Sequence, residues 1–143
     1  MIRKFGTEEM IQLHRVREAC EGVAAYDACL KITDEQIEGL KSLFKPFFNV
    51  TDWTPELIKQ YLKADIKFHE TILEIAGNPF VTQTLNSLGF LYFTYQRGLL
   101  QSPEITIKDH LAIISCFIER NPESARNAIE KHLLKGRENI SHY

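Results

Sequence analysis

Four side chains of the kinds that bind metal ions fall at positions where a helical bundle would place its core. They are Asp65, His69, His110 and His132. The first two are four residues apart, which on a helix places one a single turn above the other, so both can reach the same ion. Imidazoles with one carboxylate suit Zn²⁺, Ni²⁺, Fe²⁺ or Mn²⁺ and do not suit Ca²⁺. The residue types therefore predict a divalent transition-metal site, with zinc as the first choice.

The apolar spacing around Asp65 and His69 indicates that packing alone does not explain them. In steps of four and three residues, their seam runs through Ile58, Leu62, Asp65, His69, Ile72 and Ala76. A continuous seam of this kind faces the core of a bundle. An unpaired carboxylate there would cost several kcal/mol or take up a proton, and a bound cation removes that difficulty.

His110 and His132 interrupt two further apolar stripes in the same way. Their apolar neighbours in the stripes are Ile107, Ile114 and Phe117 for the former, and Ala125, Ala128, Ile129 and Gly136 for the latter. The alternative is that each histidine merely hydrogen-bonds to its neighbours and that the Asp–His pair is a surface hydrogen bond. Ligand types in three separate stripes favour the metal site. His14 and His142 are predicted to face solvent and to take no part in it.

These residues depend on helices for their positions, because helical periodicity dominates the chain and no hairpin signal accompanies it. The predicted helices span about 7–30, 33–46, 54–76, 79–99, 104–120 and 121–140. In the first of them, the apolar residues at helical spacing are Leu13, Val16, Cys20, Val23 and Ala24. The boundaries follow start and stop signals, among them a capping box at Thr33 and Gln36 and a proline after Thr54. The expected fold class is all-α, a single antiparallel bundle of about six helices with the metal site in its core.

The bulk properties are those of one globular domain. The chain has 143 residues, 44% of them hydrophobic, and a formal net charge of −2 without a run of Lys or Arg. Because nucleic-acid binding needs a concentrated basic face, this segment is not expected to bind DNA by itself. No apolar run approaches the roughly 20 residues that span a bilayer, and the N-terminus lacks a signal-peptide pattern, so we expect a cytoplasmic protein without a membrane partner. Cys20, Cys29 and Cys116 have no C-x-x-C spacing and are expected to be reduced, packed thiols.

Motifs along the chain match those of one known family in order and spacing. R-x-x-x-E-G-x-A-A stands at 17–25 in the opening helix, and D-x-x-F-H at 65–69 is followed by a G-N-P turn at 77–79. Residues 109–113 carry the family's E-H-x-x-I motif with aspartate in the first place, and A-x-x-A-x-x-x-H-L follows at 125–133. Over nearly all of its length the chain resembles the FCD domain, the C-terminal effector-binding and oligomerisation domain of FadR-like GntR transcription regulators.

The resemblance has a direct implication for the metal site. In metal-binding members of this family, one aspartate and three histidines hold a divalent ion inside the helical bundle. Motif by motif, these ligands match Asp65, His69, His110 and His132. The family's effectors are often small carboxylates, some of which reach open positions of the ion, as a hard anion does by displacing water. The resemblance thus implies an effector-binding metal site in an FCD-like bundle.

Two arginines are candidate effector contacts, because a guanidinium is a natural bidentate partner for a carboxylate. Arg17 matches an arginine of the family's first helix that can face the effector pocket, and the alternative is a surface pair with Glu21. Arg97, in an otherwise aromatic and apolar helix, is the second candidate. The alternative for Arg97 is an arginine that snorkels near a helix end.

The expected function is that of a metal-containing, ligand-sensing and dimerisation domain of a bacterial GntR/FadR-type transcription regulator, and not that of an enzyme. Residues 1–6 are interpreted as the remnant of a linker and residues 7–143 as the FCD domain. Whole regulators of this family carry a winged helix–turn–helix domain before it, and that domain would be the part that binds DNA. The chain is therefore either an excised fragment or a stand-alone effector domain. A homodimer and a small carboxylate effector are the expected partners.

Two alternatives stay open at the level of the residues. One is a helical-bundle metal-dependent hydrolase or oxygenase in which the ion activates water, although the sequence offers no clear further acid or base. The other is a metal-free dimerisation module in which the four residues only hydrogen-bond. The sequence does not identify the effector, the metal, the operator or the regulated pathway.

Overall fold

Six α-helices contain most of the residues that this computed structural model describes, which are 6–89 and 101–140. They are α1 (Thr7–Lys31), α2 (Asp34–Phe44), α3 (Pro55–Ala76), α4 (Pro79–Ser87), α5 (Pro103–Ile118) and α6 (Pro122–Ile140). A short 3₁₀ turn, Lys45–Phe47, follows α2 directly. These two ranges contain no strand, and the all-α bundle predicted from periodicity is confirmed.

The helix-start signals of the sequence act as predicted. At the start of α2, Thr33 Oγ1 accepts from the backbone N–H of Gln36 at 3.1 Å, and the Gln36 side chain accepts from the N–H of Thr33 at 2.9 Å. Thr54 caps α3 by accepting from the N–H of Leu57, and Pro55 stands in the first turn. Each cap satisfies backbone donors that a helix start leaves unpaired, a contribution of about 1 kcal/mol.

The fourth helix is shorter than predicted. The sequence predicts a helix over 79–99, but α4 ends at Ser87 and Gly89 follows with a φ of +63°. A residue with this φ does not continue a right-handed helix, and glycine adopts it without steric cost. The rest of the predicted helix, at 90–99, lies outside the described residues, and so does Arg97.

The most extensive helix pair in the bundle is α1 with α6. The two run antiparallel, since Glu18 is bonded to Arg137 whereas Gly22, one turn later on α1, lies against Glu130. A Cβ at Gly22 would be 2.5 Å from Glu130 Oε1, so the missing side chain leaves room for the Glu130 side chain against α1. This contact places α1 beside the part of α6 that carries His132.

Aromatic side chains pack around the centre of the bundle. Phe44, Tyr61, Phe68 and Phe117 are fully buried. The ring of Phe44 stacks on the imidazole of His110 with centroids 4.6 Å apart, and Phe68 contacts the same imidazole at 4.7 Å. A polar ligand candidate is thus held inside apolar packing, as its place in an apolar stripe predicted.

The cysteine and membrane predictions can be compared with the described part of the chain. Cys29 is buried, Cys20 and Cys116 are half-buried, and all three are free thiols, as expected. No helix within residues 6–89 and 101–140 is long and apolar enough to cross a membrane.

Candidate metal centre

Three buried imidazoles from three helices meet in the interior of the bundle. His69 of α3, His110 of α5 and His132 of α6 each offer a ring nitrogen, and these nitrogens all lie within 4.8 Å of one another. Asp65 Oδ1, one turn before His69, is 3.2 Å from His69 Nε2 and 3.3 Å from His110 Nε2. Ligand atoms held at about 2.1 Å from one zinc ion are roughly 3.0–3.4 Å apart, so the two distances from Asp65 fit a common ligand set, while the imidazole nitrogens are within reach of it after small side-chain movements.

The ring of His69 is oriented by a carboxylate from α1. Its Nδ1 lies 2.5 Å from Glu21 Oε1, and Glu21 Oε2 accepts from Arg17 Nε at 2.5 Å. All three side chains are buried. A hydrogen-bonded carboxylate behind a metal-binding histidine fixes the ring and raises its basicity, and here it leaves Nε2 to face the cluster.

His132 has an equivalent partner on α5. Its Nδ1 lies 3.0 Å from Asp109 Oδ2, while Lys135 Nζ donates to Asp109 Oδ1 at 2.9 Å. The same arrangement therefore occurs twice: a carboxylate orients the imidazole, and a cation compensates its charge. The two pairs are Glu21 with Arg17 and Asp109 with Lys135. Neither carboxylate adds an uncompensated negative charge beside the imidazoles.

His110 has a neutral partner instead. Its Nδ1 is 3.2 Å from the hydroxyl of Tyr61. Its Nε2 is buried, lies 3.3 Å from Asp65 Oδ1, and makes no hydrogen bond of acceptable geometry with any described residue. A buried ring nitrogen without a hydrogen bond is costly, and a metal ion is a partner that would satisfy it.

The protonation states of the cluster suit a cation. Burial lowers the pKa of His110 to about 4, against the charge of Asp65, so the ring is neutral at pH 7 and can offer a lone pair. Burial by itself raises the pKa of Asp65, but His110 and His69 outweigh it and hold the pKa well below the ordinary value. Burial lowers the pKa of His69, but Glu21 and Asp65 outweigh it and raise the pKa to about 9. A metal ion at His69 competes with that proton.

Both orienting carboxylates stay ionised. Burial by itself raises the pKa of Glu21, but Arg17 and His69 outweigh it and hold the pKa far below the ordinary value. Burial likewise raises the pKa of Asp109, but hydrogen bonds from His132 and a neighbouring lysine lower it to about 2. At pH 7 each carboxylate is therefore an acceptor for the imidazole in front of it.

The structure brings the predicted ligands Asp65, His69, His110 and His132 together. Arg17 does pair with Glu21, as its alternative interpretation had it, but the pair is buried rather than on the surface. This pair lies directly behind His69, so Arg17 is two hydrogen bonds away from the imidazole of His69. Arg97, the second predicted effector contact, is outside the described residues.

The prediction that His14 faces solvent is wrong. His14 is 3% exposed and lies 3.4 Å from Glu18, and burial together with the charge of Arg17 lowers its pKa to about 4. The reason is the rotation of α1, which turns His14, Arg17 and Glu21 inward and leaves Val16 and Val23 each 41% exposed. His142 lies outside the described residues.

Sequence reasoning assigned no orienting role to Glu21, Tyr61 or Asp109. The sequence does contain one signal for the role of Glu21, because this residue precedes the small residues Gly22, Ala24 and Ala25. Small residues at helical spacing allow close helix packing, and a charged residue on their face needs a buried partner.

Glu21→Leu is expected to lower the free energy of unfolding by about 3–5 kcal/mol, since it removes the acceptor that buried Arg17 and His69 share. The double variant Arg17→Met/Glu21→Leu should recover part of this loss, because the buried cation is removed as well. Urea unfolding in the presence of a chelator measures the effect without a contribution from metal.

The matched control for this prediction is Glu38→Leu. Glu38 forms an exposed ion pair with Lys41 at 3.6 Å, and such pairs contribute at most about 1 kcal/mol. A loss at Glu21 no larger than the loss at Glu38 would contradict a buried, shared carboxylate.

The sequence of the chain is similar to known proteins of one family. The model of the FCD domain family matches residues 12–135. The HTH-type transcriptional repressor NanR of Cronobacter sakazakii is 30% identical over 112 residues, which are 74% of this chain and 41% of the repressor. The protein of the same description from Klebsiella aerogenes is 27% identical over 106 residues, 71% of this chain and 39% of the repressor.

The chain thus spans about two fifths of the length of the curated relatives it matches. These relatives are transcriptional repressors by description, which supports the expectation of a regulator domain and sets the hydrolase or oxygenase alternative aside. The matched segment covers well over half of the chain, from before Arg17 to beyond His132. The chain therefore belongs to the FCD domain family, the effector-domain family of GntR-type regulators that its motifs predicted.

Proposed function

We propose that the chain is the metal-containing, ligand-sensing and dimerisation domain of a bacterial GntR/FadR-type transcription regulator. Residues 7–143 would form this domain and residues 1–6 the end of a linker. The observation that carries the proposal is the convergence of three buried imidazoles, two of them beside Asp65, with Nε2 of His110 buried and not hydrogen-bonded within the described residues. DNA would be bound by a winged helix–turn–helix domain outside this chain.

The donor set supports a divalent transition metal with zinc as the first choice, because three imidazoles and one carboxylate are ligands that zinc, nickel, iron and manganese accept. When bound, the ion would supply positive charge and coordination positions for an anion. Within the described residues the charges of Glu21 and Asp109 are compensated by Arg17 and Lys135. A divalent ion with Asp65 as its one carboxylate ligand would then keep one positive charge, which favours an anionic effector.

A small organic acid is the effector class that fits this charge. Its carboxylate would bind the ion, with Arg17 and Arg97 as the proposed guanidinium contacts. Binding would favour one arrangement of the bundle over another, and the linked DNA-binding domain would respond to that arrangement.

Metal content after purification and reloading with zinc tests the site itself. His69→Gln and His132→Gln should each lower bound zinc well below one equivalent, because each removes one ligand of the set. His14→Gln is the matched control, since His14 is also a buried imidazole but is not in the cluster. Elemental analysis gives the zinc per chain, and equal retention in all three variants would refute the proposed ligands.

Thermal denaturation with a panel of mono- and dicarboxylates tests the effector class. An acid present at 100 times its Kd should stabilise the zinc-loaded protein by about 2.7 kcal/mol, since it binds only the folded state. The same acid should have no effect after the metal has been removed, and the corresponding amide should have none in either state. Stabilisation that persists in the metal-free protein would rule out the ion as the anchor.

The proposed homodimer has support on the outer face of α1. Val16, Val23 and Leu30 are 41%, 41% and 65% exposed and lie seven residues apart, the repeat with which helices of two chains pack together. A second copy of α1, related by a two-fold axis, would cover this stripe.

Val23→Glu should therefore weaken dimerisation at least about tenfold in Kd, because a charge would enter an apolar interface from both copies. Ile118→Glu, at a position 54% exposed on α5, is the matched control and should leave the dimer unchanged. Sedimentation equilibrium measures both. Equal weakening by the two variants would argue against α1 as the interface.

A further inference from the structure

A chain of hydroxyl groups leads away from His110 to the start of α5. Tyr61 Oη lies 3.2 Å from His110 Nδ1 and 2.5 Å from Thr106 Oγ1. Thr106 Oγ1 in turn donates to the backbone carbonyl of Pro103 at 3.3 Å. The side chains of His110, Tyr61 and Thr106 are all buried. Neither of the carboxylate–cation pairs behind His69 and His132 is part of this chain.

The protons in this series of hydrogen bonds can be assigned one after another, starting at the carbonyl of Pro103. A carbonyl oxygen only accepts, so the single hydroxyl proton of Thr106 goes to Pro103. In this order Thr106 Oγ1 accepts from Tyr61, whose own single proton is thereby used. Tyr61 Oη is left as the acceptor for a proton on His110 Nδ1. With the proton on Nδ1, the other ring nitrogen carries a lone pair toward Asp65 and the imidazole cluster.

We propose that Tyr61 and Thr106 are positioning residues of the metal centre, which hold His110 in the tautomer with its proton on Nδ1. The inference rests on the proposed metal-binding function and adds to it the groups that orient His110, the one imidazole of the cluster with no carboxylate at its Nδ1. In the reverse order, Tyr61 would donate to Nδ1 and the proton of the ring would stand on Nε2, where it would face Asp65 Oδ1 at 3.3 Å and would oppose a cation.

The ring of Tyr61 is held independently of its hydroxyl. It packs edge-on against Phe47 and Trp53, with centroid distances of 5.3 and 5.7 Å, and tilted against Phe44 at 6.0 Å. Tyr61→Phe therefore removes the hydroxyl and keeps the ring contacts. This makes the variant a test of the hydrogen bond rather than of the packing.

Zinc affinity, measured by competition with a chromophoric chelator, is the first readout. Tyr61→Phe should weaken zinc binding about 10–100-fold, the usual effect of removing a group that orients a ligand. Thr106→Val should weaken it in the same direction, and Thr106→Ser should restore the wild-type affinity because it keeps the hydroxyl. Thr71→Val is the matched control, since Thr71 is an exposed helical threonine that also donates to a backbone carbonyl.

A double variant distinguishes a relay, in which Thr106 acts through Tyr61, from two independent effects on zinc affinity. If Thr106 acts through Tyr61, Tyr61→Phe/Thr106→Val should bind zinc no more weakly than Tyr61→Phe alone. Additive losses would overturn the relay. Unchanged affinity in both single variants would overturn the positioning role of both residues.

The tautomer of His110 is the readout that does not depend on zinc. Nitrogen-15 imidazole spectra of the metal-free wild type should show His110 with its proton on Nδ1, and Thr106→Val should shift population to the Nε2 tautomer. A wild-type ring protonated on Nε2 would refute the inference. Absence of zinc binding in the wild type would instead refute the proposed function, so the two failures are distinguishable.

Discussion

A carboxylate buried inside a helical bundle has to be paired, and Glu21 meets this constraint by joining α1 to α3. Its two oxygens bond to Arg17 and to His69 at 2.5 Å each. Because each of these ions would cost several kcal/mol to bury alone, the three groups are stable in the interior only as a set. The direction in which His69 presents Nε2 is therefore fixed by a residue on another helix.

The same relationship is repeated around the bundle. Glu21 on α1 orients His69 on α3, Tyr61 on α3 bonds to His110 on α5, and Asp109 on α5 bonds to the imidazole of α6. Each helix in this series supplies the group that holds the imidazole of the next helix. The geometry of the candidate centre is thus a property of the packing of four helices, and no single helix contains it.

Sequence reasoning reached the parts of this arrangement that depend on local spacing. Helix starts and the four candidate ligands follow from periodicity and caps, which involve residues at most a few positions apart. The orienting contacts cannot be predicted from local spacing, because Glu21 and Tyr61 are 48 and 49 residues away from the histidines that they contact. The rotation of α1 was misjudged for a related reason, since its apolar Val16 and Val23 face outward while charged residues with distant partners face inward.

The contact between α1 and α6 at Gly22 has a mechanical consequence. Three helices share the ligand set, so an ion bound to all of them would fix their separations, and α6 carries one of its ligands past the contact with Glu130. A slide of α6 along α1 by a single residue would displace that ligand by about 1.5 Å, which is large against metal–ligand bond lengths. Shear between packed helices is a common form of conformational change. A coordination sphere divided among three helices in this way would be sensitive to small changes in their relative position.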